Sequence, residues 1–140
     1  MGAAIPTWFF EGDAVSTETS LTNAGRGRQP SWIMPFRTSV LNGKNFSYSK
    51  NYFGSSKDMT AGYYQLGYLL TSNLRTQFGK NIIDSLITEV NTHPARLYPF
   101  SRSLKKSTGS NTKSYYQKTI EQIKKLKILA YVKKHLYKTQ

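Results

Sequence analysis

Met59-Thr60-Ala61-Gly62-Tyr63-Tyr64-Gln65-Leu66-Gly67-Tyr68-Leu69-Leu70-Thr71-Ser72-Asn73-Leu74-Arg75-Thr76-Gln77-Phe78 is the stretch that decides the fold. Tyr63, Leu66, Leu70 and Leu74 recur at steps of three and four residues, which places them on one face of a helix. Gly79 terminates it. Downstream, Lys80 to Thr92 repeats the pattern through Ile82, Ile83, Leu86, Ile87 and Val90, and halts before His93-Pro94, because the residue ahead of a proline is pushed out of the helical region. A short helix over Phe100 to Ser107 closes at Gly109. Thr112 opens a last helix through Tyr115, Ile120 and Ile123 into a lysine-rich end.

Upstream of the central stretch, Phe46 to Ser56 is aromatic and polar without a clear period and reads as a short helical turn within a loop. Ser31 is placed to cap a helix to about Asn42, with Trp32, Phe36, Val40 and Leu41 on one side. Pro35 falls within the first turns of that helix, and Asn42-Gly43 ends it. Pro6 suits a first helical turn, because its fixed φ and missing N–H cost nothing there. From Thr7 to about Thr22 only Gly12 weakens a helix, and Asn23-Ala24-Gly25 stops it. Gly25-Arg26-Gly27-Arg28-Gln29-Pro30 reads as a flexible basic loop. No pair of runs carries hairpin chemistry and no repeat appears, so the expectation is an all-α, irregular multi-helix domain.

A chain of 140 residues supports one domain with one modest core. Its aromatic share of 14% argues for a folded chain despite strong charge. No run approaches the roughly 18 apolar residues of a membrane span, and Met1 to Pro6 lacks the pattern of a signal peptide. There are no cysteines, which excludes disulfides and thiolate metal sites. The net charge is +13, and its placement is uneven. Three of the seven acids, Glu11, Asp13 and Glu18, fall in the first eighteen residues, whereas Lys124, Lys125, Lys127, Lys133, Lys134 and Lys138 crowd the end.

Pro6-Thr7-Trp8-Phe9-Phe10-Glu11-Gly12-Asp13-Ala14-Val15-Ser16-Thr17-Glu18 resembles the Trp-x-x-Glu-Gly-x-Ala segment of gluzincin (peptidase MA-like) zinc metallopeptidases. In that family a His-Glu-x-x-His helix gives two zinc ligands and a glutamate on a later helix gives the third. The resemblance implies that Glu11 is that third metal ligand, one carboxylate of a zinc that keeps a position open for water. Trp8, Phe9 and Phe10 would anchor its helix, and Gly12 would admit a neighbouring helix or substrate. Glu18, two turns along the same face, is placed to hydrogen-bond the groups that hold the metal. Asp13 reads as a surface acid or local cap. The stretch from Glu18 to Ser31, the Gly62 to Tyr68 helix and the Ser103 to Gly109 helix end are similar to bacterial gluzincin-like proteins that also carry a TolB-like β-propeller. The resemblance runs from about Ile5 to Ile123, making 1–123 the C-terminal helical part of such a hydrolase-like domain and 124–140 a basic extension or tail. It implies an upstream metallopeptidase half, a β-propeller in full-length relatives, a peptide substrate and an extracytoplasmic site.

The departure from the family is as informative. The two histidines, His93 and His135, form no His-Glu-x-x-His pair, and the general-base glutamate of that helix is missing with them. Met1 therefore reads as an internal residue of a longer protein, and the chain alone is expected to be catalytically silent, a fragment or a truncated reading frame. Arg26 and Arg28 suit a substrate carboxylate or an oxyanion, or equally a solvated loop. Tyr64, like Tyr63, suits an oxyanion contact or the core, and the amphipathic pattern favours core for at least one of the pair. His93 suits the C-terminus of its helix. No glycine-rich phosphate loop follows a strand. Lys124 to Tyr137 alternates apolar and basic groups, as a segment lying on an anionic membrane surface or along nucleic acid would, and as an exposed helix end would. A basic all-α binding module is thus the rival to the metallopeptidase fragment.

Overall fold

The structure is a computed structural model that describes residues 5–136, with side chains described through residue 127. Seven α-helices are described: α1 (Thr7–Leu21), α2 (Pro30–Leu41), α3 (Tyr48–Phe53), α4 (Gly62–Phe78), α5 (Ile82–Thr92), α6 (Pro99–Thr108) and α7 (Thr112–Leu136). A 3-10 turn, Arg26–Arg28, links α1 to α2. No strand occurs among the described residues, and the chain is all-α. Lys133, Lys134 and His135 lie outside the described side chains, and Lys138 lies outside the described residues.

Helix α4 is the hub. It buries Leu66, Gly67, Leu70, Thr71 and Leu74, and α1, α2, α3, α5 and α7 all touch it. Its seam with α1 is closed by two glycines. A Cβ added to Gly12 would stand 2.1 Å from the Gly67 carbonyl carbon, and one added to Gly67 would stand 2.1 Å from the Trp8 carbonyl oxygen. Backbone meets backbone there, so no side chain fits. Ser16 bonds across the seam to Thr71 at 3.1 Å and to Ser72 at 3.0 Å, and the Arg75 guanidinium donates to Asp13 at 2.5 and 3.1 Å.

Trp8 and Phe9 carry α1 into the core, where Phe100 of α6 meets them edge-on at 5.6 and 4.9 Å between ring centres. The Trp8 indole N–H donates to the Tyr48 hydroxyl at 2.6 Å. That bond satisfies the polar edge of a buried ring. Buried Asn51 of α3 is satisfied on both sides of its amide: it donates to the Tyr116 hydroxyl at 2.6 Å and accepts from the Ala61 N–H at 3.2 Å. Tyr116 in turn donates to the Phe46 carbonyl at 2.7 Å. One amide thus ties α3, the entry to α4 and α7 together, where an unpaired one would cost about 1–3 kcal/mol.

Several local expectations need correction. Ser31 is not the cap of α2: the helix begins one residue earlier with Pro30 in its first turn, and Gln29 is the residue outside it. Pro35 then stands past the first turn, where the helix goes without one ladder bond. Neither Tyr63 nor Tyr64 is core. Tyr63 is 38% exposed and Tyr64 half-buried, both in the first turn of α4, ahead of the buried run that starts at Leu66. Phe10 anchors nothing inside: it is 53% exposed while Trp8 and Phe9 are buried.

Candidate functional site

Helix α1 fixes the position of Glu11 through its neighbours in sequence. Gly12 locks against α4, Trp8 and Val15 are buried a turn to either side, and Glu11 itself sits half-buried at the edge of that buried stripe. The three acids of α1 differ in what holds them. Asp13 is tied by Arg75, and Glu18 by Arg26, whose Nε lies 3.1 Å from its carboxylate. Glu11 has neither an ion pair nor a side-chain hydrogen bond among the described residues.

Four of the residues singled out in the sequence share one surface. The Arg26 guanidinium lies over the Tyr64 ring, 5.6 Å from its centre, while its Nε holds Glu18. The Tyr64 phenol is raised above its ordinary pKa, first by hydrogen bonding with Tyr63 and next by the negative charge of Glu11, with Arg26 opposing. Arg26 thus stands between Glu18 and Tyr64, and Tyr64 in turn feels the charge of Glu11. The resulting patch offers one open carboxylate, one cation already paired and two phenols.

Arg28 is not part of that group. Its Nε donates to the Thr19 and Thr22 carbonyls at 3.1 Å each, so its charge satisfies the open C-terminal end of α1. The Gly27 N–H donates to Thr19 Oγ1 at 3.0 Å, and Gly25 packs on the Thr19 backbone. The segment read as a flexible basic loop is in fact strapped to α1. His93 ends α5, as its sequence context indicates, with Nδ1 3.5 Å from Glu89 Oε1.

A three-ligand zinc centre does not fit the residues present. Among the described residues no three His, Cys, Asp or Glu side chains stand close enough to hold a metal ion. Glu11 alone supplies one oxygen, and its helix neighbours are committed to arginines. No catalytic step through zinc follows from this chain.

Sequence reasoning placed a close helix approach at Gly12 but missed its partner Gly67 and the hydroxyl pairing across the α1–α4 clamp. The signal was present as Gly12 with Ser16 and Gly67 with Thr71, two small residues four apart on each helix, the spacing that brings small side chains onto one face. It also missed Asn51, whose role depends on partners at positions 61 and 116 that no local pattern names. Comparison with protein-family models, with characterised proteins and with solved structures gives no match to this chain.

Proposed function

We propose that this chain is the helical part of a gluzincin-like zinc metallopeptidase unit, in which α1 presents Glu11 as a single carboxylate to a metal otherwise held by histidines of another segment. The observation that supports it is the difference among the acids of α1: Asp13 and Glu18 are each paired with an arginine, and Glu11 is open on a helix that a glycine contact holds stiff. A ligand needs that combination of a free lone pair and a fixed carrier. Alone, the chain is a docking half without activity.

The test joins this chain to a segment carrying His-Glu-x-x-His and measures Zn²⁺ affinity by calorimetry. Glu11→Ala is expected to weaken zinc by more than the roughly 10–100-fold that loss of a supporting partner costs. Asp13→Ala serves as the control that leaves zinc affinity in place. Equal affinity in Glu11→Ala and the parent would remove the reading.

One observation favours a second reading. On α7, Lys125, Leu126 and Lys127 stand exposed in a row, Leu126 at 67%, on a chain with a net charge of +13. A basic all-α module gripping nucleic acid or an anionic membrane surface would bind at low salt and release as salt rises. No binding to DNA, RNA or anionic vesicles at low salt eliminates it.

A further inference from the structure

A cleft of about 600 Å³ opens at the far end of α1 from the 3-10 turn, where α1, α6 and α7 all begin. Its walls are apolar and aromatic: Ile5 and Pro6 on one side, Phe100 beneath, and Tyr48 and Tyr52 stacked at 5.9 Å with ring planes only 11° apart. Among the described residues no acid lines it, and the cation among them is Lys113. The volume falls within the range of small-molecule sites, which are mostly apolar with a few convergent polar groups.

The electrostatics of the cleft have one sign. Helices α1, α6 and α7 carry no acid in their first turns, and neither α1 nor α6 has a side-chain cap over its opening N–H groups. Thr7 and Ser101, from the first turns of α1 and α6, line the cleft beside Lys113. The partial positive charge of those helix ends adds to the lysine. Tyr98 stands at the cleft and is 81% exposed. It is the sole non-glycine residue among those described whose backbone is left-handed (φ 54°, ψ 55°), and that conformation costs a bulky side chain free energy.

We propose that this cleft binds a small anion with a flat apolar body. The aryl face lies against the Tyr48–Tyr52 wall under the Tyr98 ring, and the anionic group meets Lys113 and the backbone N–H groups at the starts of α1 and α6. An aryl phosphate and an aryl carboxylate share this chemistry. None of these residues belongs to the Glu11 surface, so the two readings stand or fall separately.

The experiment titrates the chain with phenyl phosphate and with benzoate, and with benzyl alcohol and inorganic phosphate as the neutral and the body-less controls. The readouts are calorimetry and backbone amide shifts. Saturable binding of phenyl phosphate or benzoate is expected, with the larger shifts at Thr7, Ser101 and Lys113, and the tighter of the two identifies the anionic group. Both controls should bind at least about tenfold more weakly, since each lacks half of the recognition. Lys113→Glu should weaken the better ligand by about tenfold, and Tyr98→Asn, which keeps a residue tolerant of the left-handed backbone, by about fivefold. Benzyl alcohol binding as tightly as the anions, unchanged affinity in Lys113→Glu, or shifts scattered away from the cleft would overturn the proposal. The shift map of the parent chain decides even where a variant fails to fold.

Discussion

Helix α1 and the outer half of α7 are built on opposite plans. The seam of α1 with α4 is backbone on backbone at Gly12 and Gly67, with Ser16, Thr71 and the Asp13–Arg75 pair arranged around it. The first half of α7 buries Tyr115, Tyr116, Thr119 and Ile120, but beyond Ile123 the helix turns Lys125, Leu126 and Lys127 to solvent. A carboxylate carrier requires the first plan, because a ligand oxygen displaced by even about 1 Å loses its metal geometry. An electrostatic arm is content with the second. The open carboxylate sits on the stiff helix, and Lys125 and Lys127 stand exposed where the described side chains of α7 end.

The seam is where the contrast breaks most readily. Gly67→Val and Gly12→Val each place atoms inside the backbone of the facing helix, where no side chain can yield, so the helices must separate. Overpacking of this kind costs about 3 kcal/mol or more when neither side relaxes. Chemical denaturation should show either variant losing most of the chain's stability, and Gly→Ala at either position should follow the same direction with a smaller loss. A variant as stable as the parent would mean that the seam is not closed as described.

Next in size is an alkaline limit that belongs to the packed half. Burial pushes the Tyr115 phenol up to about 12, and burial likewise pushes Tyr48 up to about 12, against 10.0 for a free tyrosine. The neutral phenol is the form the fold prefers, so the unfolded chain loses these protons first as pH rises. Their contribution is intact below pH 10 and drains away as pH climbs toward 12. Urea midpoints should fall across that window, and Tyr115→Phe should flatten the fall. An unchanged slope in Tyr115→Phe would show the phenol to be titrating as if in water.

The periodic helices were legible because their apolar steps of three and four are local. Most of the inward face was legible as well: of the row Tyr63, Leu66, Leu70 and Leu74 the three leucines are fully buried, and Gly67 and Thr71 complete the face that Tyr63 leaves. Glycine and threonine count for little on a hydropathy scale, and they were chosen here for being small. Six-residue α3 has too few turns to show a period, and its worth lies in Asn51, a polar residue buried by contacts with positions far along the chain. Glu11 was singled out through a resemblance. What the residues themselves add is that it shares a surface with Glu18, Arg26 and Tyr64, whereas Arg28 serves the end of α1.

Within the seam, the hydroxyls should matter less than the glycines. Thr71 donates to the Gly67 carbonyl at 2.8 Å and meets Ser16 at 3.1 Å, so Thr71→Val removes two bonds while filling nearly the same space. Ser16 retains Ser72 at 3.0 Å, which limits the damage to about 1 kcal/mol. A loss near that of the glycine variants would shift the weight of the seam from shape to hydrogen bonding.

The smallest effect should come from the outer half of α7, and its smallness is what makes it useful. Leu126 touches too little to be missed, and Lys125 makes no ion pair among the described residues. Lys125→Ser and Leu126→Ser should each leave stability within about 0.5 kcal/mol of the parent. Any change these variants cause in binding to polyanions then reports the surface alone, since the fold beneath is unaltered. A stability loss approaching that of Thr71→Val would show that the end of α7 packs against something, and the contrast between a built seam and a free arm would no longer hold.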